Sequence, residues 1–171
     1  MRHIMLSGLL LLSTFAASPA TAQRLELTTM TAEQRWDRAS KNMTLFTMMY
    51  MHEGMKAGKL PVQIGRELAE FLGPWPNVAT PVDLARTIYR NWQLWREVDF
   101  VATQTPDSTI AITSSRPYVS AIQQYNVIGV TSADFDAMFG AFHQAIAQRQ
   151  GLEFRQVVDS MSVRMTIRRP K

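Results

Sequence analysis

His143, His52, Glu53 and Arg116 are the side chains whose type and setting offer chemistry in this sequence. Histidine changes charge near neutral pH, its unperturbed pKa being about 6.5, so His143, or His52 with its neighbour Glu53, would be the acid-base group of an enzyme. The competing structural roles are a half-buried, hydrogen-bonded His143 and a solvated His52-Glu53 pair at a helix end. His52-Glu53-Gly54-Met55-Lys56 opens like the zinc-binding helix motif but lacks the second histidine four residues on, so no metal site is expected. Arg116 stands before Pro117 at a strand-to-helix junction, where a planar cation beside a helix N-terminus suits a carboxylate. A hydrolytic triad needs a nucleophile, a base and an orienter that can meet. The chain has no Gly-x-Ser-x-Gly elbow, no cysteine, no glycine-rich phosphate loop and no dinucleotide fingerprint, and no cofactor is expected.

A second set of residues could bind rather than react. Trp36, Ala39, Met43, Phe46 and Tyr50 form one apolar stripe of a long helix that should face other protein, and Met48, Met51 and Met55 fall on nearly the opposite side. Unbranched thioethers fill irregular cores and also line adaptable pockets. With Trp92 on a later helix and Arg116 as the cation, Met48, Met51 and Met55 make the candidate ligand-binding wall, the competing and commoner role of such methionines and tryptophans at helical spacing being core packing.

The elements that must position these residues follow from periodicity. Thr31 and Gln34 form a capping box for the first helix, which Gly58 stops; Pro61 opens a second helix with stripe Ile64, Leu68, Phe71 and Leu72. After the rigid break Gly73-Pro74-Trp75-Pro76, Thr80, Pro81 and Asp83 start a third helix that buries Leu84, Ala85, Ile88, Trp92 and Trp95. The period then changes to 2. Val98, Phe100 and Ala102 alternate with Glu97, Asp99 and Thr103, and a turn at Thr105-Pro106-Asp107 returns the chain with Ile110 and Ile112 inward. A short helix from Pro117, a connector at 126–130 and a helix capped by Thr131 and Asp134 lead to Gly151. A second hairpin then turns near Asp159-Ser160, with Met161, Val163, Met165 and Ile167 inward. The expected fold is α+β, a four-stranded antiparallel sheet from two hairpins packed on one face by about five helices.

The N-terminus reads as a secretory signal over residues 1–22: Arg2, an apolar run from Leu6 to Ala17, and Ala20-Thr21-Ala22 as the cleavage site. A linker, 23–30, and a single domain, 31–171, complete the expected organisation, with export to the periplasm or the extracellular space. The apolar run is shorter than the roughly 20 residues of a membrane span, so no transmembrane segment is expected. Without Arg2 there remain 17 Lys and Arg against 14 Asp and Glu, too mild and too scattered a charge for a nucleic-acid binder.

A strand leading to Pro117, a helix ending at Tyr125-Asn126-Val127, a capped helix with Phe135 and Phe139, Gly151-Leu152-Glu153-Phe154, and a hairpin ending Met165-Thr166-Ile167 give a further clue. This C-terminal half, Val98 to Arg168, resembles the L-2-amino-thiazoline-4-carboxylate hydrolase-like proteins and the wider group of vinyl-reductase-type small-molecule domains. The resemblance implies an α+β domain with a cavity between sheet and helices. Where that family carries cysteines, this chain has Arg116, the Ala133-Asp134 region and, about the third position, Val163, so the resemblance brings no thiol chemistry with it. The expected function is thus an exported, non-catalytic domain binding a small, partly apolar molecule. The alternatives are a hydrolase acting on a carboxylated or cyclic substrate and an interaction module of the cell envelope.

Overall fold

The computed structural model describes residues 29–73, 75–95, 98–125 and 128–171. The signal segment, most of the linker, Pro74, Glu97 and the start of the 126–130 connector lie outside the described residues. The architecture is α+β. Its elements run α1 (Ala32–Lys56), α2 (Pro61–Leu72), α3 (Pro81–Trp92), β1 (Phe100–Gln104), β2 (Ile110–Ser115), α4 (Tyr118–Gln124), α5 (Ser132–Arg149), β3 (Glu153–Val158) and β4 (Ser162–Arg168). Among the described residues, no helix is long and apolar enough to cross a membrane.

The helix ends follow local chemistry. Thr31 with Gln34, Thr80 with Asp83 and Thr131 with Asp134 each form a reciprocal capping box, so the first N–H groups of α1, α3 and α5 find acceptors. At the other end of α5, Gly151 takes φ +65°, and its N–H and that of Leu152 bond to the Gln148 and Ala147 carbonyls. This Schellman turn needs a left-handed residue, which glycine supplies without strain. It also drives Leu152 into the core and aims the chain into β3.

All strand pairs are antiparallel, in the order β1-β2-β4-β3, so the two hairpins join through β2 and β4 and leave β1 and β3 as edges. Ile110, Ile112, Val163, Met165, Ile167 and Phe154 point from the sheet into the core, where α3 and α5 lie against it. The opposite face, with Thr113, Arg155, Arg164, Thr166 and Arg168, is exposed. Helix α2 lies on α5 so closely that a methyl group on Gly65 would stand 2.1 Å from the Met138 carbonyl oxygen. The glycine is a requirement of that contact.

Three sequence expectations are corrected. The first concerns the rotation of α1, which turns Trp36, Met43, Phe46 and Tyr50 outward and buries Ser40, Thr44, Met48 and Met51 instead. The hydroxyls make this affordable: Ser40 donates to the Trp36 carbonyl at 2.9 Å and Thr44 to that of Ser40 at 3.0 Å, while the Trp95 indole donates to Thr44 at 3.1 Å. Small, internally satisfied side chains make room for that indole, and the larger apolar residues are left outside. The second is Met161, 80% exposed, because Asp159 accepts from the backbone N–H groups of Met161 and Ser162 and so holds Met161 in the turn, β4 beginning only at Ser162. The third is the end of the α2 stripe, where Phe71 is 86% and Leu72 52% exposed, the inward positions being Ile64, Gly65 and Ala69.

The inward register of β4 has a direct consequence for stability. Val163→Asp places a carboxyl group in the core and is expected to cost about 4 kcal/mol in chemical denaturation. Thr166→Asp, on the exposed face, is expected to cost about 1 kcal/mol or less. A larger loss for Thr166→Asp would mean that the register is reversed.

Candidate functional site

The side chains singled out in the sequence take separate places. Met48 and Met51 are wholly buried and Met55 half-buried, all part of or against the main core. Trp92 is 2% exposed and sits edge-on to Trp95, Phe100 and Tyr118 at centroid separations of 5.9, 6.3 and 6.1 Å. The methionines thus serve the packing of α1, which lies against α4 and α2, and Trp92 that of α3, which lies against the sheet. His52 uses Nδ1 to bond the Ile128 carbonyl at 2.7 Å, which assigns it as the donor there because a carbonyl only accepts. Glu53 beside it is exposed. Among the described residues no hydrogen bond or ring contact joins His52 or Glu53 to His143 or Arg116, so the four do not form one catalytic group.

Arg116 meets a carboxylate, and that carboxylate is internal. Its guanidinium pairs with Asp136 on α5 and also donates to the Asp159 and Ser160 carbonyls, each at 3.3 Å. Tyr118, in the first turn of α4, donates its hydroxyl to the other oxygen of Asp136. Burial, followed by the hydrogen bond and charge of Asp136, pushes the Tyr118 phenol far up, so it stays a neutral donor. Gln156 of β3 donates to the Asp136 backbone carbonyl at 2.9 Å, across a gap that Gly140 keeps open. The sequence signal for this cluster was present in Arg116; its partner Asp136, one polar residue on an otherwise apolar turn of α5, was missed.

His143 stands in a box of rings. Trp75, Phe139, Phe142 and Phe154 lie at centroid separations of 6.3, 5.9, 5.3 and 5.6 Å, and His143 Nδ1 has no hydrogen-bond partner among the described residues. Burial alone lowers its pKa from 6.5 to about 4, since rings of carbon do not solvate an imidazolium. The side chain is neutral at pH 7.

An open groove of about 340 Å³ lies between α3 and β1, and none of these singled-out side chains lines it. Val82, Ala85 and Tyr89 supply the helix wall, and Phe100, Ala102 and Ile110 the sheet wall. The Tyr89 and Phe100 rings are 5.1 Å apart at 45°, and the exposed Arg86 and Gln104 add polar groups. Arg86 makes no ion pair among the described residues and acts on Asp83 only as the weakest of the influences that lower the pKa of that carboxylate, the hydrogen bond from Thr80 being the strongest. The groove is not marked by the periodicity of α3, whose apolar stripe is the buried side of the helix. Tyr89 and Arg86 lie on the flank of that stripe, three residues apart and so on one face. The groove's mixture of apolar wall and few polar groups, and its volume, are those of small-ligand sites.

Among the described residues no three or more His, Asp or Glu side chains gather as metal ligands. Compared with known proteins, the chain matches no protein-family model and no curated protein sequence.

The buried imidazole makes stability depend on pH with a definite sign. Its folded pKa lies below its unfolded pKa, so between pH 6.5 and 4 the unfolded chain binds the extra proton. Stability contributed by neutral His143 is therefore complete above pH 6.5 and is lost as pH falls toward 4, by about 3 kcal/mol. Denaturation of the wild type and of His143→Phe at pH 7.0, 6.0 and 5.0 measures it. The variant is expected to show a flatter pH dependence than the wild type, and equal slopes would remove His143 as the cause.

Proposed function

We propose that this chain is an exported domain, periplasmic or extracellular, that binds a small, partly apolar molecule without transforming it. The observation that carries the reading is the groove between α3 and β1, where the Tyr89 and Phe100 rings stand at the surface beside an arginine that forms no ion pair among the described residues. An apolar body against those rings loses contact with water, at roughly 25 cal/mol per Å² of apolar surface removed. Arg86 offers two parallel N–H donors to an anionic end. The ligand class this favours is an amphipathic carboxylate. The resemblance of the C-terminal half to small-molecule domains points the same way, and the lack of cysteine together with the enclosed His143 favours binding over catalysis.

Thermal unfolding with a panel of phenylpropionate, indole-3-acetate and decanoate tests the proposal by linkage. At least one member is expected to raise the Tm, with a stabilisation of about 2.7 kcal/mol at 100 times its Kd. Ala102→Trp, which fills the groove from an exposed strand position that tolerates aromatics, is expected to abolish the rise, and Arg86→Gln to weaken binding about tenfold. A rise undiminished in Ala102→Trp, or none with any member of the panel, would contradict it.

A further inference from the structure

The groove has a feature that a pocket for compact molecules does not need: one of its walls is the free edge of a sheet. The β1–β2 register and the bonds from Ser115 N–H to the Asp99 carbonyl and from Thr105 N–H to the Thr109 carbonyl fix which residues of β1 face β2. Those are Asp99, Val101, Thr103 and Thr105, because the hydrogen-bonded pairs of an antiparallel ladder alternate. Phe100, Ala102 and Gln104 therefore turn their N–H and C=O groups to the outer edge, and their side chains turn toward the helices, where all three line the groove. Among the described residues nothing bonds to these groups, so a row of donors and acceptors at strand spacing runs beside a row of side-chain contacts.

The other edge of the sheet is different. Helix α5 packs against β3, Gln156 is bonded to Asp136, and Glu153 is paired with Arg168 at 2.6 Å. Within Phe100–Gln104, by contrast, there is no proline, lysine or other charge to discourage pairing. Val101 to Gln104 are exposed.

We propose that the ligand is an extended peptide segment, added to β1 as a fifth, antiparallel strand. This rests on the groove reading above and names its ligand class. Residues of the added strand opposite Phe100, Ala102 and Gln104 exchange main-chain hydrogen bonds with them and turn their own side chains inward, over Val82, Tyr89 and Arg86. Main-chain bonds then supply affinity and the alternate side chains specificity. The segment suited to this edge has apolar residues at every second position and a carboxylate to meet the arginine. At about 3.4 Å per residue, five residues span the strand.

The probe is the fluorescein-labelled peptide Val-Ser-Val-Ser-Glu amide, titrated into the wild-type protein and followed by fluorescence anisotropy. Two analogues carry N-methyl groups, one on both valines and one on both serines. In antiparallel addition the valine N–H groups face β1 and the serine N–H groups face solvent. The parent and the serine-methylated peptide are expected to bind alike, and the valine-methylated peptide at least tenfold more weakly. Equal binding of both analogues would overturn strand addition and leave the groove as a site for compact molecules. No binding of the parent peptide, with a carboxylate of the earlier panel still raising the Tm, would do the same, whereas failure of both peptide and panel would remove the groove reading as well.

Discussion

The buried carboxylate of Asp136 is the constraint on which the rest of the structure depends. It receives the Tyr118 hydroxyl and the Arg116 guanidinium on separate oxygens, while Arg116 also holds the carbonyls of the Asp159-Ser160 turn. Three parts of the chain that are far apart in sequence thus meet at one charge: the β2–α4 junction, α5 and the tip of the second hairpin. A carboxylate out of water is costly unless its lone pairs are used, and here two donors from the β2–α4 junction, Arg116 and Tyr118, use them. Placing α5 against α4 and the second hairpin fixes where β4 comes to lie beside β2. With β4 on the inner side of β2, β1 must be an outer strand.

Around that charge the packing is aromatic. Tyr118 lies 4.9 Å from Phe135 and 5.7 Å from Trp95, and Trp95 reaches Trp92 on one side and Phe139 on the other. The pairs of Trp95 are edge-to-face and that of Tyr118 with Phe135 is tilted, and such ring contacts add to the burial of their surface. The methionines Met48 and Met51 of α1 and Trp92 belong to the same core, whereas the groove lies on the exposed flank of α3. The same packing encloses His143 in carbon rings and keeps it neutral.

Much of this was legible in the sequence because it is written in short-range chemistry. Capping threonines with an acid or amide three residues on, Gly151 after a helical run, and the alternation of Val163, Met165 and Ile167 each specify local geometry without help from the rest of the chain. Long-range choices were not. The rotation of α1 was decided by Trp95 finding Thr44, fifty-one residues away, and by hydroxyls bonding to their own helix, which makes polar residues acceptable inside. The burial of Asp136 could not be read from its surroundings in the chain, because nothing within four positions of it is basic and its partner lies twenty residues away. The groove escaped notice because its two walls, the flank of α3 and the inward side of an edge strand, become neighbours only when the sheet order is known. Arg116 was legible as a carboxylate binder, but the identity of the carboxylate was a matter of tertiary structure.

If Asp136 organises the fold as a pair with Arg116, the two must depend on each other energetically, and a double-mutant cycle by urea denaturation measures that dependence. Arg116→Met alone and Asp136→Leu alone are each expected to cost about 3 kcal/mol, because each leaves its partner charge buried and unmatched. The double variant, in which no charge is left behind, is expected to cost well under their sum, with a coupling of about 2 kcal/mol or more. Losses that simply add would show that the two residues act independently, and would contradict the account of the buried carboxylate as the point that joins α4, α5 and the second hairpin.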